Sequence, residues 1–276
     1  MIVTLTQADW PRLKPLIDAN PVETIFLSSR IERFGLGAAG LGCPVLGVIE
    51  GGQLRAAVHF GANLMAVGDP DCLDQAIERI GPRSRTQSIL GPAVTVNRLY
   101  AGLVQRWGAS WAQVRELRPH QPLMIWRRGD PIPVAPDPRM HVIPRGELDI
   151  YYRAAVRMYT EEVGVSPLDA TNSYRHYVEY LIDEHRAFGA ADDGEVWFKT
   201  DIGSSYGSIC QIQGVWLEPS RRGKGLAEPL MAGALWLMDP CWQTISLYVN
   251  DFNVRARRMY DRLGFQTVGE LATVLY

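Results

Sequence analysis

The chain has few cysteines, and Cys43, Cys72, Cys210 and Cys241 lie far apart with no C-x-x-C pair among them. Neither a zinc nor a redox site is therefore expected, and the four are read as buried free thiols in a reducing cytosol. A long apolar run is missing as well. The most apolar helical stretch, Leu230 to Met238, is about nine residues, against the roughly 20 that a membrane-spanning helix requires. The opening residues, Met1-Ile-Val-Thr-Leu-Thr-Gln-Ala-Asp-Trp10, lack the basic start and apolar core of a secretory signal. A soluble, cytoplasmic protein is the expectation. Charge of one sign is not in excess: 28 basic residues face 30 acidic ones, for a net charge of −2. Nothing in that balance attracts a phosphate backbone or an anionic lipid surface, so the expected partners are small molecules or peptides rather than nucleic acid or membrane. What is present is a core-forming composition, 47% hydrophobic and 21% charged, ordinary for a globular protein.

Four prolines at near-alternating positions in Arg127-Arg-Gly-Asp-Pro-Ile-Pro-Val-Ala-Pro-Asp-Pro-Arg139 disfavour helix and hold the backbone extended. Residues 131–139 read as a linker between an N-terminal domain, 1–130, and a C-terminal domain, 140–276. In the first, Val45–Glu50 and Gln53–Phe60 flank Gly51-Gly52, a dipeptide suited to a tight hairpin turn. Helix-like stretches Cys72–Ile80 and Val94–Trp107 follow, with the strand candidate Ser88–Leu90 between them. In the second, helices are expected at Glu147–Val163, Ser173–His185, Leu226–Met238 and Val254–Leu263. Strands are expected at His141–Ile143, Val196–Thr200, Ser208–Leu217, Thr244–Val249 and in the tail from Phe265. The fold class is α+β, a mixed sheet covered by helices.

The most informative stretch is Val215-Trp-Leu-Glu-Pro-Ser-Arg-Arg-Gly-Lys-Gly-Leu-Ala227, which joins an apolar strand to a helix. Gly223 and Gly225 leave the backbone unshielded where the helix begins, so successive N–H groups can converge on an anion, helped by the helix dipole. A phosphate or pyrophosphate is implied. The spacing fits neither a P-loop nor a dinucleotide-binding turn. The second stretch, Leu247 to Phe265, places Asn253 at an N-cap and Gly264 at the end of a helix on which Ala256, Tyr260 and Leu263 share a face.

Arg222-Gly-Lys-Gly-Leu-Ala227 matches the Arg/Gln-x-x-Gly-x-Gly/Ala motif of the GNAT acetyltransferases. The Asn253, Ala256, Tyr260 and Gly264-Phe265 series resembles that family's second signature. The chain is similar to a GNAT subgroup, common in actinobacteria, with an uncharacterised N-terminal domain. Asn20-Pro-Val, Gly61-Ala-Asn-Leu, Arg118-Pro-His-Gln-Pro-Leu, Glu161-Glu-Val-Gly-Val-Ser-Pro167 and Ala272-Thr-Val-Leu carry that likeness. The resemblance implies a strand splay that admits pantetheine, with acetyl-CoA as cosubstrate. Backbone amides near Val215, Trp216 and Leu217 would bond the pantetheine. Arg222, Gly223, Lys224, Gly225, Leu226 and Ala227 would grip the pyrophosphate, Asn253 would touch the cofactor, and Tyr260 would protonate the departing thiolate. The first half, in which no Arg-x-x-Gly-x-Gly occurs, is read as a degenerate GNAT-like copy in a tandem arrangement, with a separate substrate-recognition fold as the alternative.

A protonated amine acceptor requires a base. The strand where such families often carry a Glu reads Gln211-Ile-Gln213 here, and neither Gln can serve. Glu161 and Glu162, at the end of the first helix of the second domain, are the candidates, ahead of His176 and His185, and no metal is expected. The function implied is acetyl transfer to a primary amine of a small molecule, amino acid or peptide in a ternary complex. The alternative is a non-catalytic acetyl-CoA sensor, suggested by the missing strand glutamate. The arginines at 255, 257, 258 and 262 are read as a solvated helix face near the CoA phosphates.

Overall fold

The computed structural model describes residues 1–276. In chain order the elements are β1 (Ile2–Thr4), α1 (Trp10–Asp18), α2 (Ile25–Phe34), α3 (Ala38–Leu41), β2 (Val45–Glu50), β3 (Gln53–Phe60), β4 (Asn63–Gly68), α4 (Asp74–Ile80), β5 (Ser88–Pro92), α5 (Ala93–Trp107), α6 (Ala109–Ala112) and β6 (Glu116–Arg127). They continue with β7 (His141–Val142), α7 (Leu148–Val163), α8 (Ser173–Asp183), β8 (Ala187–Asp192), β9 (Glu195–Tyr206), β10 (Ile209–Leu217), α9 (Ala227–Met238), β11 (Thr244–Tyr248), α10 (Val254–Arg262) and β12 (Gln266–Leu275). No helix is long and apolar enough to cross a membrane.

The chain divides into two compact units. The first holds Met1–Met124, Tyr248–Asn253 and Thr267–Tyr276, and the second Ile125–Leu247 and Val254–Gln266. This differs from the boundary read at residues 131–139. That segment is irregular and extended, as its prolines dictate, but it packs within the second unit. The Asp137 N–H donates to the Pro229 carbonyl of α9 at 2.9 Å, and a Cβ at Gly233 of α9 would lie 2.8 Å from that of Met140. The last strand returns to the first unit because β12 pairs antiparallel with β5 from Leu271↔Pro92 to Leu275↔Ser88. Such ladder bonds are set by partners far away in sequence, which periodicity within one strand does not reveal.

In the first unit the strands run in the order β1-β2-β3-β4-β5-β12-β6. Gly51 and Gly52 turn the β2–β3 hairpin with φ of 56° and 78°, both left-handed, as a two-residue turn of this kind demands. The core lies between this sheet and helices α4 and α5, with Leu64, Ile77, Ile89, Leu99 and Trp111 buried in it. Tyr276 packs edge-on against Trp111, under the Arg83 guanidinium.

The second unit has the order β11-β10-β9-β8-β7. One core packs α7 and α8 against it through Tyr151, Ala154, Met158, Val178, Leu181 and Trp216. Helix α9 is apolar nearly all round, and Leu230, Met231, Ala234 and Leu235 are buried, as suits a central helix rather than a surface one. Pro229 stands at its third position, where a missing N–H leaves no intrahelical bond unmade.

Candidate active site

β10 and β11 are parallel and pair at only three positions, Ile209↔Thr244, Cys210↔Ile245 and Gln211↔Ser246. β10 then runs on to Leu217, and the two strands part. The parting coincides with irregularities in the β9–β10 ladder, between Gln211 and Ile212 and again between Gln213 and Trp216. Such bulges insert unpaired residues and re-aim the strand. Gly214 lies in the second bulge with φ of 58°. A Cβ there would lie 2.9 Å from Lys199 Nζ and 3.0 Å from Met158 Cε, so both conformation and space require glycine. Beyond it, Val215 to Leu217 form the strand edge that faces the gap.

Under the bulge is an arrangement that sequence reading missed. Lys199, wholly buried on β9, donates to Asp201 Oδ2 at 2.6 Å and to the Gly214 carbonyl at 3.2 Å. The Tyr151 hydroxyl of α7 donates to Asp201 Oδ1, and its oxygen is 3.2 Å from the Thr200 carbonyl. Asp201 sits directly opposite Gln213, so a carboxylate does stand at the level where β10 has none, one strand over and held by Lys199 and Tyr151. Burial, with the Asp201 charge added, holds the Tyr151 phenol far above its ordinary range. Tyr174 and Tyr177 are raised for the same two reasons, burial first. Tyr177 accepts a hydrogen bond from Gln213 Nε2 at 2.6 Å, and Tyr174 donates to the Ala155 carbonyl. With Tyr152 and Tyr159 these rings form a cluster between α7 and α8. The i, i+3 spacing of Tyr174 and Tyr177 and the i, i+7 spacing of Tyr152 and Tyr159 were the available signal.

After β10 the chain makes a 3₁₀ turn at Pro219–Arg221, capped by Glu218, whose carboxylate accepts the Ser220 N–H at 2.9 Å. Gly223, Lys224 and Gly225 follow, all exposed, with the two glycines at φ of 77° and 72°. Nothing lies within 4 Å of where a Cβ would project from either. Leu226 is the N-cap of α9 and Ala227 its first residue. The turn is an open concavity of main chain leading into a helix N-terminus, the electrostatic setting for an anion.

The Arg222 side chain turns back toward the protein. Its guanidinium makes a two-point ion pair with Glu161 at 2.6 and 2.8 Å, and its Nε donates to the Leu217 carbonyl at 2.8 Å. Glu161 also accepts the Trp216 indole N–H at 2.9 Å. Arg222 and then Trp216 hold this carboxyl below its usual range, against the pull of burial, which makes it a weaker base. Glu161 thus ties the end of α7 to the glycine turn. Glu162 is exposed on the same helix end, which closes at Gly164 in the left-handed conformation. Its charge reaches both Tyr260 and Tyr174. Tyr260, on α10, is buried against Phe265, and burial first, then Glu162, raises its phenol above the ordinary value.

The second unit therefore brings together Val215, Trp216, Leu217 and the turn Arg222 to Ala227, linked to α7 through Glu161. His176 and His185 lie exposed on and just after α8. Asn253 falls in the segment grouped with the first unit, where its N–H donates to the Asn250 carbonyl.

Residues 148–265 match the Acetyltransferase (GNAT) family, and residues 43–151 match a domain of unknown function, DUF4081. A mycothiol acetyltransferase of Acidimicrobium ferrooxidans is 38% identical over 73 residues, 26% of this chain. The matched region spans about a quarter of that curated relative, 24% of its length. Among solved structures, a GNAT-family acetyltransferase from Colwellia psychrerythraea aligns with TM-score 0.60 and 14% identity, covering 100% of this chain and 99% of its own. A tandem GNAT protein from the clavulanic acid biosynthesis pathway aligns with TM-score 0.58 and 13% identity, covering 99% and 97%. At such identities the likeness is one of fold, and it extends over both units. The chain accordingly has a tandem GNAT-like α+β architecture, within which residues 148–265 match the GNAT acetyltransferase family.

Proposed function

We propose that this protein transfers an acetyl group from acetyl-CoA to a primary amine of a small molecule, amino acid or peptide, by direct transfer within a ternary complex. The observation that carries this reading is the open Gly223-Lys224-Gly225 turn, set at the head of α9 where β10 parts from β11. Its unshielded amides and the helix dipole suit a pyrophosphate, and the free edge of Val215 to Leu217 suits an amide-bearing chain lying along it as an extra strand. Acetyl-CoA supplies an activated thioester.

In this reading the residues divide the work. Lys224 and the turn amides hold the phosphates. The Arg222–Glu161 pair fixes the turn, and Glu161 is a positioning residue rather than the base. Lys199 and Asp201 hold the Gly214 bulge that separates the strands. Glu162 accepts the proton of the amine as the nitrogen forms its bond to the acyl carbon. Tyr260 gives its proton to the sulfur as the carbon–sulfur bond breaks. The tyrosines of α7 and α8 line the acceptor side.

A thiol-release assay with acetyl-CoA and a panel of primary amines tests this. Turnover that depends on an amine and falls sharply in Tyr260→Phe is expected. CoA binding without release from acetyl-CoA under any amine would favour a sensor instead.

A further inference from the structure

The first unit carries its own strand splay. β4 and β5 are parallel and pair at only two positions, Asn63↔Ser88 and Leu64↔Ile89, after which β4 continues to Gly68 and β5 to Pro92. A cavity of about 590 Å³ opens there, with Leu54 and Val67 among its lining residues. That volume is in the range of small-molecule sites.

Its chemistry is the reverse of the glycine turn in the second unit. Between β4 and the end of α4 the chain reads Asp69-Pro-Asp-Cys-Leu-Asp-Gln-Ala-Ile-Glu-Arg-Ile80, with no glycine and with acids at 69, 71, 74 and 78. Like charges at this point oppose a pyrophosphate. Three acids line the cavity, Glu23, Asp69 and Glu270, against one base, Arg55. Arg55 is taken by Asp69 at 2.7 Å, and Glu270 lies 3.1 Å from His120 Nδ1. Glu23 has neither an ion pair nor a hydrogen bond to any protein group. Its carboxylate occupies the space that a side chain at position 269 would fill, since a Cβ on Gly269 would lie 2.6 Å from Glu23 Oε1. Burial raises its pKa, the sign of a carboxylate lacking a counter-charge. The start of α5, Ala93 to Thr95, forms another wall and offers N–H groups to an oxygen-bearing end.

We propose that the cleft of the first unit binds a small molecule carrying a primary ammonium group, with Glu23 as its counter-ion and the N-terminus of α5 receiving an oxygen acceptor of the same molecule. This site is separate from the catalytic reading of the second unit and stands or falls without it.

Saturation-transfer NMR on the full chain tests it, with 1-aminobutane, 4-aminobutanoate and ethanolamine as probes and their N-acetyl derivatives, which lack the ammonium charge, as counterparts. Amine signals are expected in the native protein and in Glu162→Gln. Measured in the Glu162→Gln background, which disables the acceptor site of the second unit, they should weaken by about tenfold or more on adding Glu23→Gln, the scale of one charge-assisted hydrogen bond. Val94→Trp, a change at an exposed residue of the cavity wall, should abolish them by filling the space. The proposal is overturned if no amine is detected, if the N-acetyl derivatives bind equally well, or if Glu162→Gln removes the signals while Glu23→Gln and Val94→Trp leave them.

Discussion

Replacing Lys199 by methionine tests what separates the strands at the proposed CoA site. Methionine keeps most of the side-chain volume, so no large cavity follows and the effect is electrostatic. Asp201, 4% exposed, loses its cation and keeps only Tyr151 as a donor, and the Gly214 carbonyl loses its 3.2 Å donor. Removing one partner of a buried ion pair costs about 3–5 kcal/mol, a large share of the roughly 5–15 kcal/mol that holds a domain together. Lys199→Met should therefore lower the urea midpoint of the second unit without changing the slope. Lys199→Met with Asp201→Leu should recover part of the loss, because no charge is then left buried. The coupling expected between the two changes is about 1–3 kcal/mol. Bulge relaxation should also raise KM for acetyl-CoA in the single variant. A loss below about 1 kcal/mol with simple additivity in the double variant would refute the reasoning.

Two further outcomes follow from the second unit. Glu161→Gln should raise KM for acetyl-CoA more than it lowers kcat, because it frees the turn without touching the reacting atoms, while stability changes by no more than about 1 kcal/mol for so exposed a pair. Since Arg222 holds the Glu161 carboxyl below its ordinary value, the stabilisation from this pair is complete above the ordinary carboxylate range and is lost as pH falls through the lower folded-state value; acid denaturation of the native protein should show this loss and Glu161→Gln should not. Tyr260→Phe should reduce kcat by roughly 10²- to 10⁴-fold. Because burial and Glu162 push the phenol above the ordinary value of about 10, the pH profile of kcat should show no descending limb below about pH 10, and one that appears there and vanishes in Tyr260→Phe would contradict this role.

Local signals made much of the second unit legible. Two glycines at a strand–helix junction and a helix bearing Ala256 and Tyr260 gave the fold, and α9 and α10 lie within a residue of where periodicity and capping placed them. The hairpin at Gly51-Gly52 was equally plain because its turn chemistry is local. Helices α1 and α2 escaped notice: α1 carries Pro11 and Pro15 and has only Leu13 and Ile17 buried, too weak a pattern to stand out. Strand β6, with Pro119 and Pro122, reads as irregular in isolation. The return of β12 to β5 is a matter of ladder partners and leaves no mark on composition.

Within the candidate site, the limit was side-chain pairing across strands. Lys199 and Asp201 look like alternating polar residues of a half-exposed strand, yet both are buried, and only the register that sets Asp201 opposite Gln213 shows what they hold. Glu161 and Glu162 are neighbours in sequence with nothing to distinguish them. The ion pair to Arg222 assigns one to the turn, while the other stays exposed and its charge acts on Tyr260.

The most direct measurement compares CoA with pantetheine, which lacks the pyrophosphate and the phosphorylated adenosine beyond it, by calorimetric titration of the native protein and of Gly223→Val/Gly225→Val, the variant isolating the share owed to the turn. If the main-chain turn grips the diphosphate, CoA should bind about a hundredfold more tightly than pantetheine, the worth of one or two charge-assisted hydrogen bonds. That advantage should disappear in the double variant, whose side chains must occupy left-handed backbone positions. Equal affinity for the two ligands in the native protein, or no binding of either, would contradict the proposed site.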